Sequence, residues 1–211
     1  MTDRRWRLAN NIIFAAIIAI NGYIIAVPLL PQLAFWWQTN HSATQQTLTQ
    51  RLAAPKHTTK KPSTPPPQQF HADASHDGLI IPKMLLETPL IEGPERDSFA
   101  LLNKGAWRLP FTTTPDKGGN TVVAGHRFSY TGPRGVFYFL NKLEPGDMIG
   151  LWYHGTLYRY RVESTRTVAP TEVSVQEPTT DTRLTLYTCT PLWKPVNRLV
   201  VVAKPVTETP A

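Results

Sequence analysis

Chemistry in this chain is most easily sought at its one cysteine, Cys189. A thiolate is the nucleophilic form of cysteine, and it needs an electropositive neighbour to form. A single cysteine excludes an intrachain disulfide, and a free thiol outside a membrane is open to oxidation. Cys189 closes the alternating run "RLTLYTC". In an extended strand, Leu184 and Leu186 fall on one face, and Thr185, Tyr187 and Cys189 fall on the other. Cys189 thus stands at a strand's C-terminal end, where the loop "TPLWKPVN" begins. The competing reading is a buried, inert thiol, the common state of a free cysteine.

Two further residues could join it. Arg198 opens the next apolar run, "RLVVVAKPV". Consecutive antiparallel strands put the end of the first beside the start of the second. Cys189 and Arg198 are therefore expected on neighbouring strands at one end of a sheet. Alone, Arg198 reads as a solvated charge at a strand edge. His126 follows the apolar run "TVVAG", again at a strand's C-terminal end. His41, His57, His71 and His76 lie before residue 78, and His154 falls in a His-Gly turn. A cysteine with a histidine elsewhere in the chain is a candidate nucleophile pair on a weak pattern.

The elements that must position these residues are β-rich. From Gly78 the chain runs through "LIIP", "MLLETPLI", "TVVAG", "RLTLYTC" and "RLVVVAKPV". The stretch "DMIGLWY-HG-TLYRYRVES" predicts a hairpin around a two-residue turn. Within this part of the chain, helix is predicted only around Asp97–Asn103, with a turn at 136–140. The pattern predicts an all-β fold, most simply a barrel.

Ahead of it lie two other segments. Residues 12–37 are apolar and end in Trp36 and Trp37, long enough to cross a bilayer and suited to an interfacial aromatic belt. Arg4, Arg5 and Arg7 precede them and predict a cytoplasmic N-terminus. The run ends in prolines and bulky aromatics, without the small-residue site of a cleaved signal peptide. Residues 38–77 are rich in Thr, Gln, Pro and Lys, and predict a disordered linker, with a short helix possible at 45–52. The expected division is 1–37 cytoplasmic tip and transmembrane anchor, 38–77 linker, 78–211 catalytic domain. The net charge of +7 lies mostly in the terminus and linker. From Gly78 onward, 15 Lys and Arg face 12 Asp and Glu, which argues against a nucleic-acid partner.

Taken together, these stretches resemble the bacterial sortases, a family of cysteine transpeptidases. "TLYTC" with an Arg nine residues past its Cys is similar to the family signature. So is "TVVAGHR", with its His about sixty residues before the Cys. "LIIPKMLLETPLIEG" resembles the family's first strands, and "FYFLNKLEPGDMIGLWYHGTLYRYRV" its F-x-x-L-x-x-L-x-x-G-D stretch and following hairpin. The resemblance covers residues 79–204. The short Cys-to-Arg loop looks closest to class D or E housekeeping sortases.

The resemblance implies an eight-stranded sortase-type β-barrel with one or two short helices. It implies Cys189 as nucleophile, His126 as acid and base, and Arg198 as donor to the oxyanion or to a substrate carbonyl. The substrates implied are surface proteins bearing a C-terminal L-P-x-T-G-type sorting signal, cut between Thr and Gly. The acceptor implied is an amine of peptidoglycan or of a pilin lysine. Thr188, Leu192 and Trp193 are candidate substrate contacts, and the loops 167–182 and 190–197 candidate walls. No carboxylate or amide partner for His126 stands out. No cofactor or metal is called for: Glu92, Glu95 and Asp97 read as solvated acids. Two other functions stay open on the same barrel, a cysteine protease using water and a non-catalytic extracellular binding module.

Overall fold

The computed structural model describes residues 2–41, 44–53, 70–128 and 135–206. The chain divides into two compact units, Met1–Thr44 and Gln45–Ala211.

The first unit is one helix, α1 (Thr2–His41). Its stretch Trp6–Ala26 is long and apolar enough to cross a membrane, with a mean hydropathy of 1.8. Within that stretch the Asn21 side-chain amide donates to the Ile17 carbonyl at 2.8 Å. This local bond reduces the cost of a polar group among apolar neighbours.

The second unit is built on eight strands: β1 (Gly78–Ile81), β2 (Leu86–Ile91), β3 (Ala106–Arg108), β4 (Asn120–Ala124), β5 (Met148–Tyr153), β6 (Thr156–Val168), β7 (Arg183–Thr190) and β8 (Asn197–Pro205). They close into a barrel in the order β1-β2-β3-β4-β7-β8-β6-β5, the architecture expected. Closure leaves no open sheet edge around the ring. The β5–β6 hairpin turns at His154 and Gly155, whose φ values are 46° and 77°. Two positive φ values give the turn whose twist matches the flanking strands. The predicted helix is α3 (Ser98–Leu102), entered through a 3-10 turn at Glu95–Asp97.

Alternation along each strand sorts the side chains. Leu79, Ile81, Ile149, Leu151, Leu184, Leu186, Val201 and Ala203, each at most 1% exposed, fill the interior. The outward positions are partly roofed. Trp107, Leu109, Val122 and Ala124 lie beneath Leu101 and Leu102 of α3. Val168 and Val200 lie beneath Val175 of the loop between β6 and β7. Tyr187 packs against both groups.

A third roof lies N-terminal to Gly78. The polar-looking stretch at 45–52 forms helix α2 (Thr44–Ala53). Leu48 and Leu52, four residues apart, share one helix face and are buried with Ala72, Ile80 and Leu157. Leu52 comes so close that a Cβ on Gly150 would stand 2.2 Å from its Cδ2. Arg51 adds a pair of bonds to the Glu87 carboxylate at 2.8 and 2.9 Å and one to the Ala72 carbonyl at 2.6 Å. The barrel's packing therefore begins before residue 78, because two leucines in the segment read as linker have an apolar groove to fill. Most of the remaining linker, 54–69, lies outside the described residues.

Candidate active site

β4 and β7 run parallel, with Ala124 beside Tyr187. The next ladder link is Gly125 N–H to the Tyr187 carbonyl, 3.2 Å. His126 follows, level with the end of β7. β7 and β8 run antiparallel, and Cys189 and Arg198 are direct partners in that ladder. Strand parity decides which way each points. Cys189 shares the outward face of β7 with Thr185 and Tyr187, Arg198 that of β8 with Val200, and His126 continues the outward parity of Val122 and Ala124. The barrel thus brings the three expected residues to one end and one face, on its outside.

The main chain at His126 is pinned. Phe137 N–H donates to the His126 carbonyl at 2.9 Å, and Gly135 N–H to the Arg127 carbonyl at 3.2 Å. A Cβ at Gly135 would stand 2.0 Å from that His126 oxygen, so the return of the loop requires glycine. Residues 129–134 between them lie outside the described residues. The ring of Phe99, on α3, meets the imidazole edge-on at 6.0 Å between centroids. Burial holds the His126 pKa below the ordinary imidazole value. Among the described residues no carboxylate partners this ring.

Cys189 is partly exposed and free. Two residues before it on the same outward face, burial pushes the Tyr187 phenol above its usual range; Arg198 opposes this, while Cys189 and Glu95 add to it. Thr188 points inward: it is 2% exposed, and its hydroxyl donates to the Gly125 carbonyl at 2.7 Å. It braces the site from behind and presents no surface to a ligand. Trp193 is exposed and its ring lies 4.9 Å from that of Phe128; Leu192 is half-buried. Glu92 is held by Arg108 and by the Tyr153 hydroxyl.

The sortase domain model matches residues 79–206. The chain belongs to the sortase family. Among curated sortases it is 33% identical to Sortase SrtE1 of Streptomyces coelicolor over 159 residues, 68% of this chain and 44% of that protein. It is 37% identical to Sortase A of Listeria monocytogenes over 86 residues, 41% of this chain and 38% of that protein. The chain thus spans less than half the length of the curated sortases it matches. Among solved structures, sortase C-1 from Actinomyces oris superposes with a TM-score of 0.55 at 27% identity, covering 62% of this chain and 73% of that one. Sortase A from Corynebacterium diphtheriae gives 0.56 at 25% identity, covering 64% and 62%.

Several members of this sortase site were not singled out in the sequence. Arg127 stands immediately after His126, and its Nη1 donates to the Thr190 hydroxyl at 2.6 Å. Tyr187 stands beside Cys189 on the same outward face, and Phe99 flanks His126. The signal for Arg127 was its position beside the histidine, but its partner is 63 residues away. A cavity of about 510 Å³ lies elsewhere, lined by Phe70, His76, Asp77, Leu90 and His154 among others. β1 and β6 both start there, and both run the same way as β7, so the cavity lies at the opposite end of the barrel.

Proposed function

We propose that this sortase is a transpeptidase that cuts an L-P-x-T-G-type sorting signal through a Cys189 thioester. The observation that carries the reading is the convergence of Cys189, Arg198 and the end of β4 bearing His126 on one outward face. The Cys189 thiolate attacks the carbonyl carbon of the Thr residue. The carbonyl oxygen gains negative charge, and the Arg198 guanidinium, with its fork of N–H donors, stabilises it. The C–N bond then breaks, and the leaving Gly amine takes a proton from the His126 imidazolium. An acceptor amine attacks the resulting thioester, His126 takes its proton, and the thiolate leaves. The acceptor is an amine of peptidoglycan or of a pilin lysine.

Similarity to Sortase SrtE1 and to a Sortase D of Bacillus subtilis, 31% identical over 97 residues, supports a class D or E type. The chain is anchored by α1 with its N-terminus in the cytoplasm and the barrel outside. Arg4, Arg5 and Arg7 ahead of the apolar stretch support this orientation.

The test is a product assay on the full-length chain. A peptide ending in a sorting signal is incubated with and without a short amine nucleophile, and products are identified by mass. An amine-joined product that requires Cys189 is expected. Hydrolysis alone, at the same rate with or without amine, would instead make the chain a protease. Protease added to intact cells is expected to reach the barrel; loss only after permeabilisation would reverse the orientation.

A further inference from the structure

Arg127 has no part in the three-residue mechanism, yet its environment is costly. Its guanidinium is half-buried, and burial draws its pKa down, with Tyr138 opposing. Its Nε is buried and has no partner among the described residues. A buried charge with few hydrogen bonds weakens a fold. Local violations of this kind are expected where a site demands them.

The demand is visible in the bonding on either side of the reacting pair. Thr188 and Thr190 flank Cys189; Gly125 and Arg127 flank His126. The Thr188 hydroxyl donates to the Gly125 carbonyl at 2.7 Å, and Arg127 Nη1 donates to the Thr190 hydroxyl at 2.6 Å. The residues on both sides of one group are thus tied to the residues on both sides of the other. β4 ends at Ala124, and its last backbone link to β7 is Gly125 N–H to Tyr187. Beyond that point the ladder cannot hold His126 at its distance from Cys189. The Arg127–Thr190 bond is the next connection outward. Being charge-assisted, it is shorter and stronger than a neutral one.

We propose that Arg127 is a positioning residue, which acts through Thr190 to hold His126 and Cys189 in reacting register. The inference rests on the reading of Cys189 and His126 as the working pair. A displacement of about 1 Å between reacting groups costs on the order of 10²-fold in rate, and this sets the size of the expected effect.

The test uses the full-length chain and a sorting-signal peptide with an amine acceptor. Thr190→Val removes the acceptor at nearly constant volume, and Thr190→Ser keeps it. Arg127→Gln removes the charge-assisted donor. Thr190→Val and Arg127→Gln are expected to lower kcat by roughly 10- to 10²-fold at unchanged KM. Thr190→Ser is expected to stay near the unmodified enzyme. The double variant should be no slower than the slower single one, because both remove the same bond. If Arg127→Gln fails to fold, the Val and Ser variants at Thr190 decide the matter on their own. A Ser variant as slow as Val overturns the proposal. So do multiplicative losses in the double variant, or a raised KM at unchanged kcat, which would place Arg127 on the substrate. Cys189→Ala is assayed in parallel. If it stays active, the reading of the pair fails; if it is dead while Thr190→Val is unimpaired, only the positioning role fails.

Discussion

Arg198 stands directly across the β7–β8 ladder from Cys189, and both side chains leave the same outward face of the barrel. Directly opposed residues of an antiparallel pair have Cβ atoms about 4.5–5.5 Å apart. The Arg198 Nη1 donates to the Asn197 carbonyl at 3.2 Å; on the proposed mechanism the guanidinium turns to the oxygen that develops charge on the attacked carbon. Arg198→Ala is expected to lower kcat/KM by about 10²-fold or more, as loss of an oxyanion donor does. Arg198→Lys should also fail, because a point charge lacks the planar fork. Steady-state kinetics with a sorting-signal peptide checks both, and a fully active Lys variant counts against the geometric role.

The His126 ring is the subject of a pH prediction. Burial lowers its pKa relative to the unfolded chain, whose imidazoles titrate near 6.5. The folded protein therefore favours the neutral ring. The stability this contributes is present above about pH 6.5. It is lost as pH falls from there through the folded value. On the proposed mechanism the active form is the singly protonated pair, thiolate with imidazolium. The acid limb of the kcat/KM profile marks loss of the first proton from the doubly protonated pair, and a lowered His126 pKa should put it below the ordinary imidazole value. The limbs belong to the Cys189–His126 pair and not to either residue alone. NMR titration of the His126 ring in Cys189→Ala gives the check: a midpoint at or above the free-histidine value would contradict the burial argument. Phe99→Ala, which strips the ring lying edge-on to His126, should move the midpoint upward.

Much of this site was legible because strand parity is a local property. "RLTLYTC", "RLVVV" and "TVVAGH" each assign their own faces, and one antiparallel turn joins the first two. What escaped the sequence depends on contacts between distant residues. β3 is three residues long, Ala106–Arg108, too short for a periodic signal. It exists because it pairs with β2 on one side and β4 on the other. The parallel β4–β7 pairing that brings the end of β4, followed by His126, level with the end of β7 leaves no mark in either strand alone. The same holds for Arg127, which needs Thr190, and for Thr188, whose inward hydroxyl has a purpose only once Gly125 lies opposite.

Helix α2 shows the same dependence, and it can be tested by stability. Its sequence, Thr44–Ala53, is mostly polar. What fixes it is the fit of Leu48 and Leu52 into the surface of β1, β5 and β6. Leu52→Ala should cost about 2–3 kcal/mol, the lower part of the range for buried leucines. For a domain of this size, that is a fall in Tm of roughly 5–10 °C. Gly150→Val should destabilise as well, since its first side-chain carbon would overlap Leu52. A protein beginning at residue 78 loses the helix together with the Arg51–Glu87 pair, and should melt lower than one beginning at 44. Equal melting temperatures for those two would show that α2 adds nothing to the barrel.

Trp193 offers a prediction about binding in place of chemistry. It is 58% exposed in the loop between Cys189 and Arg198, and its ring lies against Phe128, two residues past His126. An exposed tryptophan set against a half-buried phenylalanine of the neighbouring loop, beside the proposed nucleophile, gives an apolar residue of a peptide a surface to cover. Aromatic side chains carry large apolar area at small entropic cost. Trp193→Ala should therefore raise KM for a peptide with an apolar residue at the head of its sorting signal. Contacts equal in ground and transition states leave kcat unchanged. Trp193→Phe should retain most of the affinity. If the ring serves only to pack the loop that carries Arg198 into place, the Ala variant will lower kcat instead, with KM little moved. That pattern would assign Trp193 to the scaffold. Comparing the two constants across an apolar and a polar peptide separates the cases, because only a binding surface discriminates between them.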